Sequence, residues 1–381
     1  MVSESNTGGG QPLLSICLPV YNGAEYLPNV LAALLPQADE LRDLVEVIVA
    51  DDASQDASEL LCCAEAAADR LQYIRNCPNL GMGPNIARCI TQHARGRYVW
   101  IWSQHCLLRK GKLREIVETL SQNPYIGVAY VNFRCAVYPD RWPQTCDAGF
   151  DGPYDYISST DDINRIIPHW HLLLKPHTCL CTQTYAHIVD RLRSAEFLNR
   201  QHINRDFGPA VATFTQTTAT ASVFFDDAVL YFGDPVFTIF NGAQTWAKPR
   251  TRALVYFHAL PELVGIFRHR GLRNGPLRDA EQYASQMAAE AAVELLKSRE
   301  YGFLTSMLVR YYWGFVSQKN SISAMLGAVF LTGWCRQTRW LLALLDQFRR
   351  CWLYFAVHWR PARFVRSVLL RWQSRSLGKR R

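Results

Sequence analysis

Short apolar runs rich in branched residues alternate with stretches of helical period through the first third of the chain. Strands are expected at 13–20, 45–50, 71–75, 97–102 and 126–132, with helices near 25–37, 56–69, 83–94 and 111–121 between them. Strands alternating with helices of this length predict an α/β fold with a doubly wound, mostly parallel sheet. The first two runs break abruptly into polar turns, Tyr21-Asn22 and Asp51-Asp52-Ala53-Ser54. In open α/β sheets ligands gather beyond the carboxyl ends of the strands, so both turns are expected to face one ligand.

Beyond Tyr138 the pattern weakens. Residues 139–153 hold Pro, Gly, Asp and Trp without a period and suit a loop over the active site. A helical stretch at 208–221, an apolar strand at 222–232, and helices near 258–270 and 278–299 follow. The expected organisation is a polar, disordered start at 1–11, a catalytic domain at 12–257, a helical connection at 258–302 and a separate tail at 303–381. A chain of 381 residues exceeds what one hydrophobic core usually organises, which fits a domain with an appendage.

Charge singles out that tail. Of 41 Lys and Arg residues 14 lie in 303–381, but only Asp346 of the 33 acids does, so the tail carries +13 and the remainder −5. Six of the 11 Trp residues fall there too. From Arg336 to Val357 a polar side (Arg336, Arg339, Asp346, Arg350) opposes a stripe of Trp340, Leu341, Leu344, Leu345, Phe348, Trp352 and Phe355. Arg with Trp on amphipathic helices is expected where a surface meets lipid headgroups. The longest uncharged run, Asn320–Cys335, is short for a span of about 20 apolar residues, so interfacial helices are expected rather than a crossing. No binding motif accompanies the charge, and no nucleic-acid partner is expected. The 12 cysteines lack paired C-x-x-C spacing and read as small buried residues of a reducing compartment. With no apolar signal core at the start, a cytoplasmic location is expected, peripheral on the inner face of the plasma membrane.

Several spaced words then narrow the reading: Pro19-Val20-Tyr21-Asn22, Asp51-Asp52 with Ser54 and Asp56, Asn79-Leu80-Gly81, Asn85, and Ala94-Arg95-Gly96-Arg97-Tyr98-Val99. In this order they resemble family 2 glycosyltransferases of the GT-A nucleotide-diphospho-sugar transferase fold, over about ninety residues. The resemblance implies attack by an acceptor hydroxyl on the anomeric carbon of a nucleotide-activated sugar, an inverting displacement with loss of a nucleoside diphosphate. It implies that Pro19, Tyr21 and Asn22 flank the nucleotide base, that Asp51 or Asp52 accepts a hydrogen bond from it, and that Asn79, Gly81 and Asn85 close the pocket. The alternative for Asp51, Asp52 and Ser54 is a turn and helix cap, and their place in the family order favours binding for the aspartate pair.

One departure stands out. Members resembling abequosyltransferases carry two or three carboxylates after the fourth strand, holding a divalent metal against the diphosphate, whereas this chain reads Trp102-Ser103-Gln104-His105-Cys106. A hard cation such as magnesium or manganese is held poorly by Gln, His and Cys, so no cofactor is fixed and His105 is at most a single ligand. Three readings stay open. The first is an enzyme without metal, in which Arg109 or Lys110 joins Ser103, Gln104 and His105 at the donor phosphates. The second is a metal held mainly by substrate, and the third a catalytically inactive nucleotide-sugar-binding or scaffolding subunit. For the base, Asp206 comes first, then Asp161 and Asp162, then Asp226 or Asp227; His169, His177 and His202 are candidates to orient an acceptor. The tail points to a saccharide or lipid-linked saccharide acceptor at a membrane.

Overall fold

The computed structural model describes residues 10–137, 154–156, 164–168, 185–194, 198, 209–241, 248–300, 302–304 and 307. The chain divides into two units, 1–322 and 323–381, and every described residue belongs to the first. The expectations for the disordered start, the loop at 139–153 and the helical stripe of the tail lie outside the described residues.

The first half alternates as its pattern predicts: β1 (Leu14–Val20), α1 (Leu27–Asp39), β2 (Val45–Asp51), α2 (Ser58–Ala67), β3 (Gln72–Arg75), α3 (Met82–Arg88), β4 (Tyr98–Ile101), β5 (Cys106–Leu108), α4 (Lys112–Gln122) and β6 (Val128–Val137). A π-helical turn, Cys89–His93, extends α3. Then come β7 (Tyr154–Tyr156), β8 (Arg165–Ile167), β9 (Tyr185–Ile188), α5 (Val189–Arg193), α6 (Ala210–Thr213), α7 (Thr215–Val223), β10 (Val229–Asn241), α8 (Pro249–Leu254), a second π-helical turn (Val255–Ala259), α9 (Leu260–Arg270) and α10 (Asn274–Lys297).

The sheet runs β3-β2-β1-β4-β9-β6-β10-β5, with β7 added on β6 and β8 on β10. It is mixed, not mostly parallel throughout. The β3-β2-β1-β4 half is parallel, but β9 lies antiparallel between β4 and β6. Two antiparallel steps restore direction, and β10 pairs in parallel with β6. Hence β1, β2, β3, β4, β6 and β10 all deliver their carboxyl ends to one edge. Strand β5 was not expected from the sequence; among the described residues it pairs with β10 alone. The strand expected at 222–232 is displaced, because α7 continues to Val223 and β10 begins at Val229. Pro235, which cannot donate to a ladder, sits where the β6–β10 register shifts between Phe232 and Phe237.

Strands β1, β2 and β4 are buried on both faces because helices cover both, whereas β3, at the edge, is half-exposed. In α1, Leu27, Val30, Leu31, Leu34, Leu35 and Ala38 recur every three or four residues and are buried; the helix packs on β2, β5, α2 and α4. On the opposite face α3 packs on β1, and α7 on β9 and α9. The buried rings of Trp100, Trp102, Phe133 and Phe237 fill the centre, with Trp100 and Trp102 edge-on at 4.7 Å. At the amino edge Ser15 would be a polar intruder in β1, yet its hydroxyl donates to Glu46 at 2.5 Å and accepts the Gly96 N–H at 2.8 Å. A side chain at Gly96 would lie 2.7 Å from the Ser15 nitrogen, so the Ala-Arg-Gly turn needs glycine there. Of the described cysteines, Cys17, Cys62, Cys89 and Cys106 are buried as expected, whereas Cys63 and Cys77 are exposed.

Candidate active site

The carboxyl ends of β1 and β2 continue into two loops that are tied to one another. Asn22 adopts the left-handed conformation (φ 50°), which its short polar side chain tolerates. Its N–H donates to the Ser54 hydroxyl at 2.9 Å, while its Oδ1 accepts the Gln55 N–H at 2.8 Å. Gly23 N–H donates to the Ser58 hydroxyl, and Ala24 N–H to Asp56, each at 2.9 Å. Burial opposes the Asp56 charge, but bonds from Ser58 and from backbone N–H groups outweigh it and lower its pKa. Ser54 and Asp56 are thus lock residues between loops.

The two aspartates at the end of β2 diverge. Asp51 is fully buried: Oδ1 accepts the Ser54 N–H at 2.8 Å, and Oδ2 accepts from Tyr73 at 2.6 Å and Arg75 at 2.9 Å. It joins β2 to β3 and lies out of reach of a ligand. Asp52 points the other way. Its Oδ1 accepts from Leu80 N–H at 2.7 Å and Asn76 at 3.1 Å, and its Oδ2 from Gly81 N–H at 2.7 Å. A carboxylate offers about four acceptor positions, so these bonds leave one on Oδ2, on a side chain that is itself buried at 3% exposure. Asn79 donates to the Asp52 carbonyl at 2.6 Å. Asn85 is buried beneath this loop, donating to the Ala50 carbonyl at 2.8 Å and accepting from Asn76 at 2.9 Å. Gly81 opens α3 at φ 93°, a conformation glycine reaches without a Cβ penalty.

Asn76 is the hub that the sequence reading missed. It donates to Asp52 and Asn85 and accepts from Arg88 at 2.8 Å. A polar residue directly after a short strand, before Cys77-Pro78, was the available signal. Tyr21, at 42% exposure, presents its ring to solvent from the same edge. Pro19 stays within β1, paired with Ala50.

After β4 the chain makes a tight turn. Ser103 Oγ accepts the His105 N–H at 3.1 Å. Gln104 and Cys106 are buried, and among the described residues the Gln104 Oε1 and His105 Nδ1 find no hydrogen-bond partner. Burial drives the His105 pKa down to about 4, so its ring is neutral near pH 7. No group of three or more His, Cys, Asp and Glu side chains suited to a metal ion occurs among the described residues. A buried amide, a buried thiol and one neutral imidazole do not fit a hard divalent cation.

Arg109, expected near the donor phosphates, is committed elsewhere: it bonds to the Pro235 carbonyl and pairs with Asp234, which also holds Lys112. Lys110 is exposed on the turn into α4. Asp227 is likewise displaced from the acceptor role expected of it. It pairs with Arg191 beside Gly127, at the amino edge where β6 begins, and Asp226 is exposed on the same turn. Asp161, Asp162, Asp206, His169, His177 and His202 lie outside the described residues.

Comparison with known proteins bears on this edge. The sequence model described as Glycosyl transferase family 2 matches residues 15–180, somewhat under half of the chain. An uncharacterized protein of Mycobacterium tuberculosis (strain CDC 1551 / Oshkosh), MT1568, is 29% identical over 134 residues, covering 35% of this chain and 40% of its own. An uncharacterized glycosyltransferase of Rickettsia bellii is 34% identical over 94 residues, 25% of this chain and 13% of its own. The chain therefore spans well under half the length of these curated relatives. Among solved structures, S. aureus TarS 1-349 in complex with UDP-GlcNAc aligns at TM-score 0.49 and 15% identity, over 83% of this chain and 79% of that one. Mannosyltransferase PcManGT from Pyrobaculum calidifontis, in complex with GDP-Man and Mn2+, aligns at TM-score 0.42 and 17% identity, over 85% and 88%. Over residues 15–180, then, the sequence fits the model of family 2 glycosyltransferases.

Proposed function

We propose that this protein is a glycosyltransferase that moves a sugar from a nucleotide-diphospho-sugar to a hydroxyl of a saccharide acceptor. The observation that carries the reading is the interlocked carboxyl edge. Loops 21–26 and 51–58 and the turn 79–81 are cross-bonded into one rim, from which the Tyr21 ring is exposed to meet a nucleotide base, with the buried Asp52 carboxylate holding the turn behind it. In an inverting displacement the acceptor oxygen bonds to the anomeric carbon as the bond to the diphosphate oxygen breaks, and the hydroxyl proton passes to a carboxylate base. Asp206 is the preferred base, with Asp161 and Asp162 behind it. The cationic, Trp-rich stretch 303–381 supports an acceptor held at a membrane, a lipid-linked glycan of envelope polysaccharide assembly, with the protein peripheral on the inner face of the plasma membrane. No described helix is long and apolar enough to cross a membrane.

The turn at Ser103–Cys106, without carboxylates, favours one other reading, a nucleotide-sugar-binding subunit that does not turn over its ligand. Both are tested by calorimetry of the full chain with UDP, GDP, dTDP and ADP, followed by turnover of the matching labelled nucleotide-sugars with membrane lipid as acceptor. Binding of one nucleotide together with label transfer supports the enzyme. Binding with no transfer and no donor hydrolysis supports the subunit, and failure to bind any of the four overturns both.

A further inference from the structure

The turn that follows β4 is wedged between the start of α1 and the end of β10. Gln104 is only 7% exposed, and its Oε1 would lie 2.7 Å from a Cβ on Gly23. His105 stands edge-on to Tyr26, ring centroids 4.5 Å apart at 78°. From the sheet side, Trp102 N–H donates to the Cys17 carbonyl at 2.7 Å and Phe240 N–H to the His105 carbonyl at 3.0 Å. These side chains spend their volume on the loop that carries Tyr21, touching it two residues and five residues beyond that ring.

Resting on the glycosyltransferase reading, we propose that Gln104 and His105 are positioning residues that brace loop 21–26, and that nucleoside diphosphate binds here with an affinity independent of divalent cations. A hard cation needs several oxygen ligands, and the side chains of this turn offer one amide oxygen turned inward against Gly23 and the Ser103 hydroxyl, which already accepts the His105 N–H. Cys106 belongs to the buried core, so it does not join His105 as a second ligand. What the turn supplies is order. A ring fixed before the nucleotide arrives avoids the cost of immobilising its loop on binding.

The test is calorimetry of the full chain with UDP and GDP, in chelator and in millimolar manganese, for the wild type, His105→Phe and His105→Ala. Phe keeps the edge-on ring contact and removes both nitrogens; Ala removes the contact. The wild-type affinity is expected to agree within about twofold between the two buffers, a difference of about 0.4 kcal/mol. His105→Phe is expected to bind like the wild type in both, and His105→Ala severalfold more weakly in both. Tightening by manganese of about tenfold or more, abolished in His105→Phe, overturns the inference and leaves the glycosyltransferase reading standing. Equal affinity of His105→Ala and wild type overturns the bracing role. Absence of binding by the wild type in either buffer refutes the glycosyltransferase reading, and the inference with it.

Discussion

Replacing Asp52 tests the role of its carboxylate in holding the 79–81 turn. In Asp52→Ala the N–H groups of Leu80 and Gly81 and the Asn76 amide all lose their acceptor, at bonds of 2.7, 2.7 and 3.1 Å. Each hydrogen bond to a charged group is worth about 1.5–3 kcal/mol, but such losses do not add, and water reaches the half-buried Leu80 and Gly81 once the turn loosens. A net local loss of about 3 kcal/mol follows, enough to raise amide exchange in peptides spanning 76–88 by about a hundredfold where opening is local. Asp52→Asn keeps one oxygen but turns an N–H toward one of the two backbone donors, so it is expected to fall between Ala and wild type. The assay is hydrogen-deuterium exchange by mass spectrometry, with peptides from α10 as the internal reference. Unchanged protection across 76–88 in Asp52→Ala would refute the argument that this carboxylate holds the turn.

Two further outcomes follow from backbone and burial. Ala53 sits at φ 61°, where an ordinary L-residue costs about 1–2 kcal/mol and glycine nothing, so Ala53→Gly is expected to leave urea stability unchanged or raised by up to about 1 kcal/mol, against the usual loss for a new glycine. A clear loss would contradict the left-handed geometry. Burial pushes the His187 pKa from 6.5 to about 3, so the native state stays neutral where the unfolded chain is protonated. Its contribution is therefore complete above pH 6.5 and lost as pH falls toward 3, at up to about 1.4 kcal/mol per pH unit. Relative to wild type, His187→Gln should gain about 2 kcal/mol in urea unfolding between pH 7 and pH 5, and an unchanged difference would refute a neutral buried His187.

The parallel half was legible because β1, β2 and β4 are buried on both faces and read as continuous apolar runs, bounded by turn residues that the pattern places closely. Strand β5 escaped because three residues carry no period. The region 222–232 misled because Phe224 and Phe225 are buried from a helix end and turn, where sequence alone cannot tell an apolar run from a strand. At the site, the words at 19–22, 51–56 and 79–85 marked segments that the structure brings together at one sheet edge, but not which side chains face outward. Asp51 is the last residue of β2 and Asp52 the first beyond it, so the two side chains leave in different directions, and only the three-dimensional structure shows that Asp51 is spent on Tyr73 and Arg75. Arg109 was unreadable for the same reason, since its partners Asp234 and Pro235 lie more than a hundred residues away.

These assignments change what the motif words mean physically. Asp51, Ser54, Asp56, Asn79 and Asn85 direct their polar atoms at neighbouring loops, and each bond satisfies a backbone group that would otherwise be stranded where strands end without helical or ladder partners. A sheet edge with three loops leaving side by side needs such cross-bonding to hold any concave surface open, whatever ligand then enters it. The turn after β4 faces no such demand. Its backbone is already tied to Cys17 and Phe240, which leaves residues 104–106 free to be amide, imidazole and thiol. Residues 51–56 therefore hold the rim through their side chains while the turn 103–106 is held through its backbone, with the strand pairing on both sides intact.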